Sequence, residues 1–105
     1  MNNISNNVSF HASNRVMERT SCSRNKMGDY INRVWQTGKT IEAYKDRIAL
    51  YKYLTNVKNN GGEDRNLRVS GNCLYIFNKS GSLLITCFDI PQKVIQDKRN
   101  KKHVR

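Results

Sequence analysis

The chain has 105 residues, enough for one domain with a modest core. Its 19 Lys and Arg against 8 Asp and Glu give a formal net charge of +11. That charge does not constrain the fold, but it makes polyanions the expected partners, above all RNA or a nucleoprotein. No apolar run approaches the length of a bilayer span, and the start Met1-Asn2-Asn3-Ile4-Ser5 lacks the basic and apolar regions of a signal peptide, so no membrane contact and a cytoplasmic location are expected.

Residues 1–8 are rich in Asn and Ser and read as a flexible start. A first helix is predicted over about Phe10 to Thr20, with Ser9 as its N-cap. His11, Arg15 and Arg19 fall at i, i+4 and i+8 and line one face of it. The second helix carries the stripe Met27, Tyr30, Ile31, Val34 and Trp35, which is core spacing. Ser23 is placed to cap its start, and Gly38 to end it in the left-handed conformation. A third helix is predicted from about Glu42 to Lys58, with Tyr44, Ile48, Tyr51, Leu54 and Val57 on one side. The β-formers in Leu50 to Leu54 leave a strand open there. Asn59-Asn60-Gly61-Gly62 reads as a break.

Three short β-rich segments follow: Asn66 to Ser70, Cys73 to Asn78 and Leu83 to Phe88. Ser70-Gly71-Asn72 and Lys79-Ser80-Gly81 are the turns between them, which predicts an antiparallel meander. The expected fold is α+β: two or three N-terminal helices on a three- to four-stranded antiparallel meander, one domain over residues 9–92. The tail 93–105 sets Lys93, Lys98, Arg99, Lys101, Lys102 and Arg105 against Asp97. It reads as a solvated polycation able to hold a phosphate backbone, with Lys52 as a further nucleic-acid contact.

Cys22, Cys73 and Cys87 are an odd number without C-x-x-C spacing and read as reduced thiols. His11 and His103 are the only histidines, and no zinc spacing is present, so neither metal nor cofactor is expected.

The His11–Arg15–Arg19 face is the one pattern that suits chemistry. Metal-independent RNA cleavage needs a base near neutral pKa and cations for the phosphorane charge. His supplies the first and the planar Arg fork the second. The same three residues serve equally as a capping histidine with two arginines paired to Glu18 or another carboxylate.

Phe10-His11-Ala12-x-x-Arg15-x-x-Glu18-Arg19, Tyr51-Lys52-Tyr53-Leu54, Asn66-Leu67-Arg68-Val69 with Leu74-Tyr75-Ile76-Phe77, and Leu84-Ile85-Thr86 leading to Pro91 stand in a distinctive order. Together they resemble a family of small phage and mobile-element proteins of Gram-positive bacteria, of uncharacterised function. More distantly, the layout is similar to the barnase-, EndoU-, colicin- and RelE-like ribonucleases. That resemblance implies a toxin-like or host-takeover endoribonuclease in a bacterial cell. His11 would be its base or acid, Arg15, Arg19 and Arg68 would bind phosphate, and Thr86 would position it. The chain departs from that pattern in having a single candidate His, which leaves the second proton-transfer role unassigned, with Tyr53, Tyr75 and Lys52 as candidates. It also implies a partner: an acidic antitoxin or a host protein. The alternative is a non-catalytic regulator that grips nucleic acid or a host nucleoprotein such as a defence complex.

Overall fold

The computed structural model describes residues 7–61 and 64–99. Chain order gives β1 (Asn7–Val8), α1 (Phe10–Arg19), α2 (Met27–Thr37), α3 (Ile48–Gly61), β2 (Arg65–Ser70), β3 (Cys73–Asn78), β4 (Leu83–Asp89) and α4 (Gln92–Gln96). Short 3-10 turns at Arg24–Lys26 and Ile41–Tyr44 lead into α2 and α3. The fold is α+β, helices followed by an antiparallel meander. No helix among the described residues is long and apolar enough to cross a membrane.

Ser9 caps α1 as predicted: its hydroxyl accepts the Ala12 N–H at 3.0 Å. Ser23 instead precedes the 3-10 turn and makes no side-chain cap bond. Gly38 is extended (φ −63°, ψ 153°) rather than left-handed. The chain must run straight on, because Lys39 pairs with Val69 in both directions. Glycine is needed here for close approach: a Cβ would lie 2.6 Å from the Val34 carbonyl oxygen. The predicted third helix is divided. Ile41–Tyr44 is a 3-10 turn, and α3 starts only at Ile48, then runs through the expected break at Asn59-Asn60-Gly61. Leu50 and Leu54 are buried four residues apart, so helical spacing wins over β-propensity in this segment.

The sheet order is β1-β4-β3-β2. The meander is antiparallel, with Gly71 (φ +62°) and Gly81 (φ +82°) at its turns. The fourth strand is parallel, not antiparallel: Asn7 and Val8 pair with Leu83 and Leu84. The segment expected to be flexible therefore ends in a sheet strand at residues 7–8. Residues 1–6 lie outside the described residues.

Helices cover both faces of the sheet. On one face Ala12, Val16, Met27, Ile31 and Val34 of α1 and α2 bury Tyr75, Phe77, Leu84 and Cys87. On the other, Leu50 and Leu54 of α3 pack with Leu67, Val69, Leu74 and Ile90, joined by Val94 and Ile95 of α4. A bulge decides which β4 residues face which layer. Tyr75 pairs with Cys87 and Ile76 with Thr86, but Phe77 pairs with Leu84, leaving Ile85 extra. Leu84 thereby joins Cys87 and Phe77 in the first core, a placement that simple alternation forbids.

The basic tail is in part structure. Arg47 donates through one terminal nitrogen to the carbonyls of Ile95 (3.0 Å) and Asp97 (3.3 Å), and the Ile48 N–H donates to the Arg99 carbonyl at 3.3 Å. These bonds dock α4 on α3 and correct the reading of 93–99 as a solvated polycation. Lys101, Lys102 and Arg105 lie outside the described residues.

Candidate nucleic-acid interface

α1 lies on β4 through Ala12 and Val16, and the His11, Arg15 and Arg19 face flanks that contact. His11 is exposed, and Arg15 and Arg19 are half-buried. Arg19 forms ion pairs with Glu18 (3.6 Å) and Asp89 (3.5 Å), the carboxylate partners that the sequence allowed for. Both Nε atoms are buried: that of Arg15 makes no hydrogen bond among the described residues, and that of Arg19 has only the 3.5 Å ion-pair contact with Asp89. Both guanidinia act on the buried Cys87 thiol. Burial raises its pKa, and the two positive charges, Arg19 then Arg15, oppose that rise. The result is a short cationic face with His11 near its start.

The other residues assigned to a catalytic site do not join this face. Arg68 is on the α1–α2 side of the sheet but is committed to structure. Its Nε donates to the Trp35 carbonyl at 3.0 Å, and one terminal nitrogen donates to the Leu67 carbonyl (3.0 Å) and Asn66 Oδ1 (3.3 Å). Its guanidinium carbon lies 3.9 Å from the Trp35 ring centroid. Burial lowers its pKa, which it tolerates because Arg starts so high. Thr86 is on the opposite side. It is the neighbour of Ile76, and it lines a cleft with Leu67, Val57 and Arg65 at the end of α3. Alternation with the buried Cys87 was the signal for this placement.

The three residues considered for a second proton transfer are also separated from His11. Tyr75 is 1% exposed, and its hydroxyl is engaged with that of Tyr30 at 2.7 Å. Burial, then the Tyr30 hydrogen bond, raises the Tyr75 pKa far above its ordinary value. Tyr53 and Lys52 belong to α3, across the sheet, and burial raises the Tyr53 pKa as well. Lys52, Lys93 and Lys98 are exposed on the α3–α4 side. Arg99 forms a two-pronged bond to Asp97 at 2.7 and 3.0 Å.

Sequence reasoning passed over Asp89. It accepts the Cys73 thiol at 3.3 Å while it faces Arg19. It also passed over the exposed Arg24, Lys26 and Arg33, which extend the positive surface around α2. No family model, no curated protein and no solved structure matches this chain.

Proposed function

We propose that the protein is a nucleic-acid binder that holds RNA phosphates on the α1 face and the adjoining basic surface without cleaving the chain. The observation that carries this reading is charge without compensation. Eight carboxylates cannot neutralise nineteen Lys and Arg, and Arg15 keeps a buried Nε donor without a hydrogen-bond acceptor among the described residues. A phosphate oxygen is the acceptor that a guanidinium fork fits best.

Binding is favoured over cleavage by the division of the catalytic set. In-line cleavage needs a base and an acid on opposite sides of one phosphate. His11 is the candidate base on its face, and the groups considered for the second proton transfer lie elsewhere among the described residues. Arg68 is bound to Trp35, and Thr86 lies across the sheet. RNA is also the substrate of the ribonucleases that the sequence layout resembles, and the divided catalytic set favours its binding without their chemistry. The resemblance to phage and mobile-element proteins suggests the setting, a regulator acting on a host nucleoprotein.

Fluorescence anisotropy with a labelled RNA, chelator present, tests this. Wild type should bind and leave the RNA intact. Arg15→Ala with Arg19→Ala should weaken binding and flatten its salt dependence by roughly 0.7 in log–log slope per lost phosphate contact to a single strand. Cleavage to 2′,3′-cyclic phosphate ends by wild type, lost in His11→Ala, would replace the binder with a ribonuclease.

A further inference from the structure

We propose that a cleft beside the β2 edge is a nucleobase pocket, which makes single-stranded nucleic acid the target class. This rests on the nucleic-acid reading but uses a different part of the molecule. β2 is an edge strand. Its outward-facing backbone groups belong to Arg65, Leu67 and Val69. Val69 exchanges both its bonds with Lys39, at 2.8 and 2.9 Å. Lys58 Nζ donates to the Arg65 carbonyl at 2.6 Å. Leu67 lies between them, and its N–H points the same way because strand parity has period two. Among the described residues no hydrogen bond reaches that N–H.

Leu67 lines a cleft of about 350 Å³ together with Thr40, Glu42, Tyr51, Thr55 and Lys58. The volume is at the small end of ligand sites, roughly 300–1,000 Å³. The chemistry of the lining is specific. A fixed N–H donor and a carboxylate acceptor are the complements of a base edge that sets a ring nitrogen or carbonyl beside an exocyclic amine. Tyr51 is the aromatic residue of the lining, and such residues hold unpaired bases by stacking. Lys58 places positive charge at the same site. A peptide strand fits less well. Strand addition needs successive free backbone pairs, and Lys39 and Lys58 occupy the positions on either side of Leu67. A duplex fits no better, since its base edges are already paired.

The test is amide NMR on the full chain, titrated with AMP, CMP, short single-stranded RNA and duplex RNA. The Leu67 and Thr40 amides should move with the mononucleotides and the single strand, and not with the duplex. Thr55→Trp, which fills the cleft, should lower single-strand affinity about tenfold and leave duplex affinity unchanged. A single strand that binds without moving Leu67 overturns the pocket. So does a Leu67 amide that responds only to an extended peptide. If no RNA binds at low salt, the binding proposal itself fails, and the mononucleotide titration still decides whether the cleft takes a base.

Discussion

The guanidinium of Arg68 lies over the Trp35 ring at 3.9 Å while its Nε donates to the carbonyl of the same residue at 3.0 Å. One side chain thus fixes both the ring and the last turn of α2 against β2. Arg68→Ala should cost about 2 kcal/mol, the sum expected of a charge-assisted bond and a partly desolvated cation–π contact. Arg68→Lys should recover only part of it, because an ammonium lacks the planar fork. Urea unfolding measures both. RNA affinity measured under native conditions should fall by no more than the loss of one charge predicts.

The tyrosine pair predicts an asymmetry. Tyr75 is buried and Tyr30 only half-buried. Tyr30→Phe strands the Tyr75 hydroxyl inside the core and should cost about 1–3 kcal/mol. Tyr75→Phe should cost less, since the Tyr30 hydroxyl can turn to water. Equal losses in thermal unfolding would contradict the burial difference.

Cys73 predicts a pH effect. Burial, then the hydrogen bond to Asp89, pushes its thiol up to about 11. The folded state therefore holds a proton that the unfolded chain releases near pH 9. Above that point the unfolded state binds fewer protons, so stability falls as pH rises from 9 to about 11. Iodoacetamide should modify Cys73 slowly at pH 8, and Asp89→Asn should speed the reaction by removing the negative charge beside the thiol. An unchanged rate in Asp89→Asn would refute this account.

Two turn glycines should respond differently to alanine. Both have positive φ, but a Cβ on Gly81 would collide with the Trp35 ring, while one on Gly71 meets nothing within 4 Å. Gly71→Ala should cost about 1–2 kcal/mol from backbone strain alone. Gly81→Ala adds overpacking of roughly 1–3 kcal/mol and should quench or shift the Trp35 fluorescence. Chemical denaturation followed by that fluorescence separates the two.

Arg47 predicts how the basic tail behaves. Arg47→Ala removes two of the three hydrogen bonds that dock the α4 segment and should expose residues 92–99 to limited proteolysis. Deleting residues 93–105 would strip Val94 and Ile95 from the α3 core and mix unfolding with charge loss. Replacing Lys93 and Lys98 with Gln is the cleaner probe of phosphate binding.

Much of the fold was legible because its signals are local. The α2 stripe, the Ser9 cap and the meander turns each lie within a few residues of sequence. What was not legible depends on distant partners. β1 is two residues long and exists only because β4 offers it an edge. Val94 and Ile95 are apolar residues inside a run of cations, and charge masked the helix that they anchor. For the site, spacing placed His11, Arg15 and Arg19 on one face correctly. Spacing could not place Leu84 on the same side as Cys87, since the Ile85 bulge resets alternation, nor show that Arg68 would be held by a backbone carbonyl.

The Ser9 hydroxyl donates to the Ile85 carbonyl across 76 residues of sequence, and β1 closes on the same strand. The first helix therefore has nothing to dock on until the last strand has been made. During synthesis most of the chain must leave the ribosome while α1 and α2 hold their apolar stripes uncovered. Loop closure over such a span is entropically slow. A truncated product ending before residue 83 would present these helices without their floor, as prey for chaperones and proteases rather than as a smaller working protein.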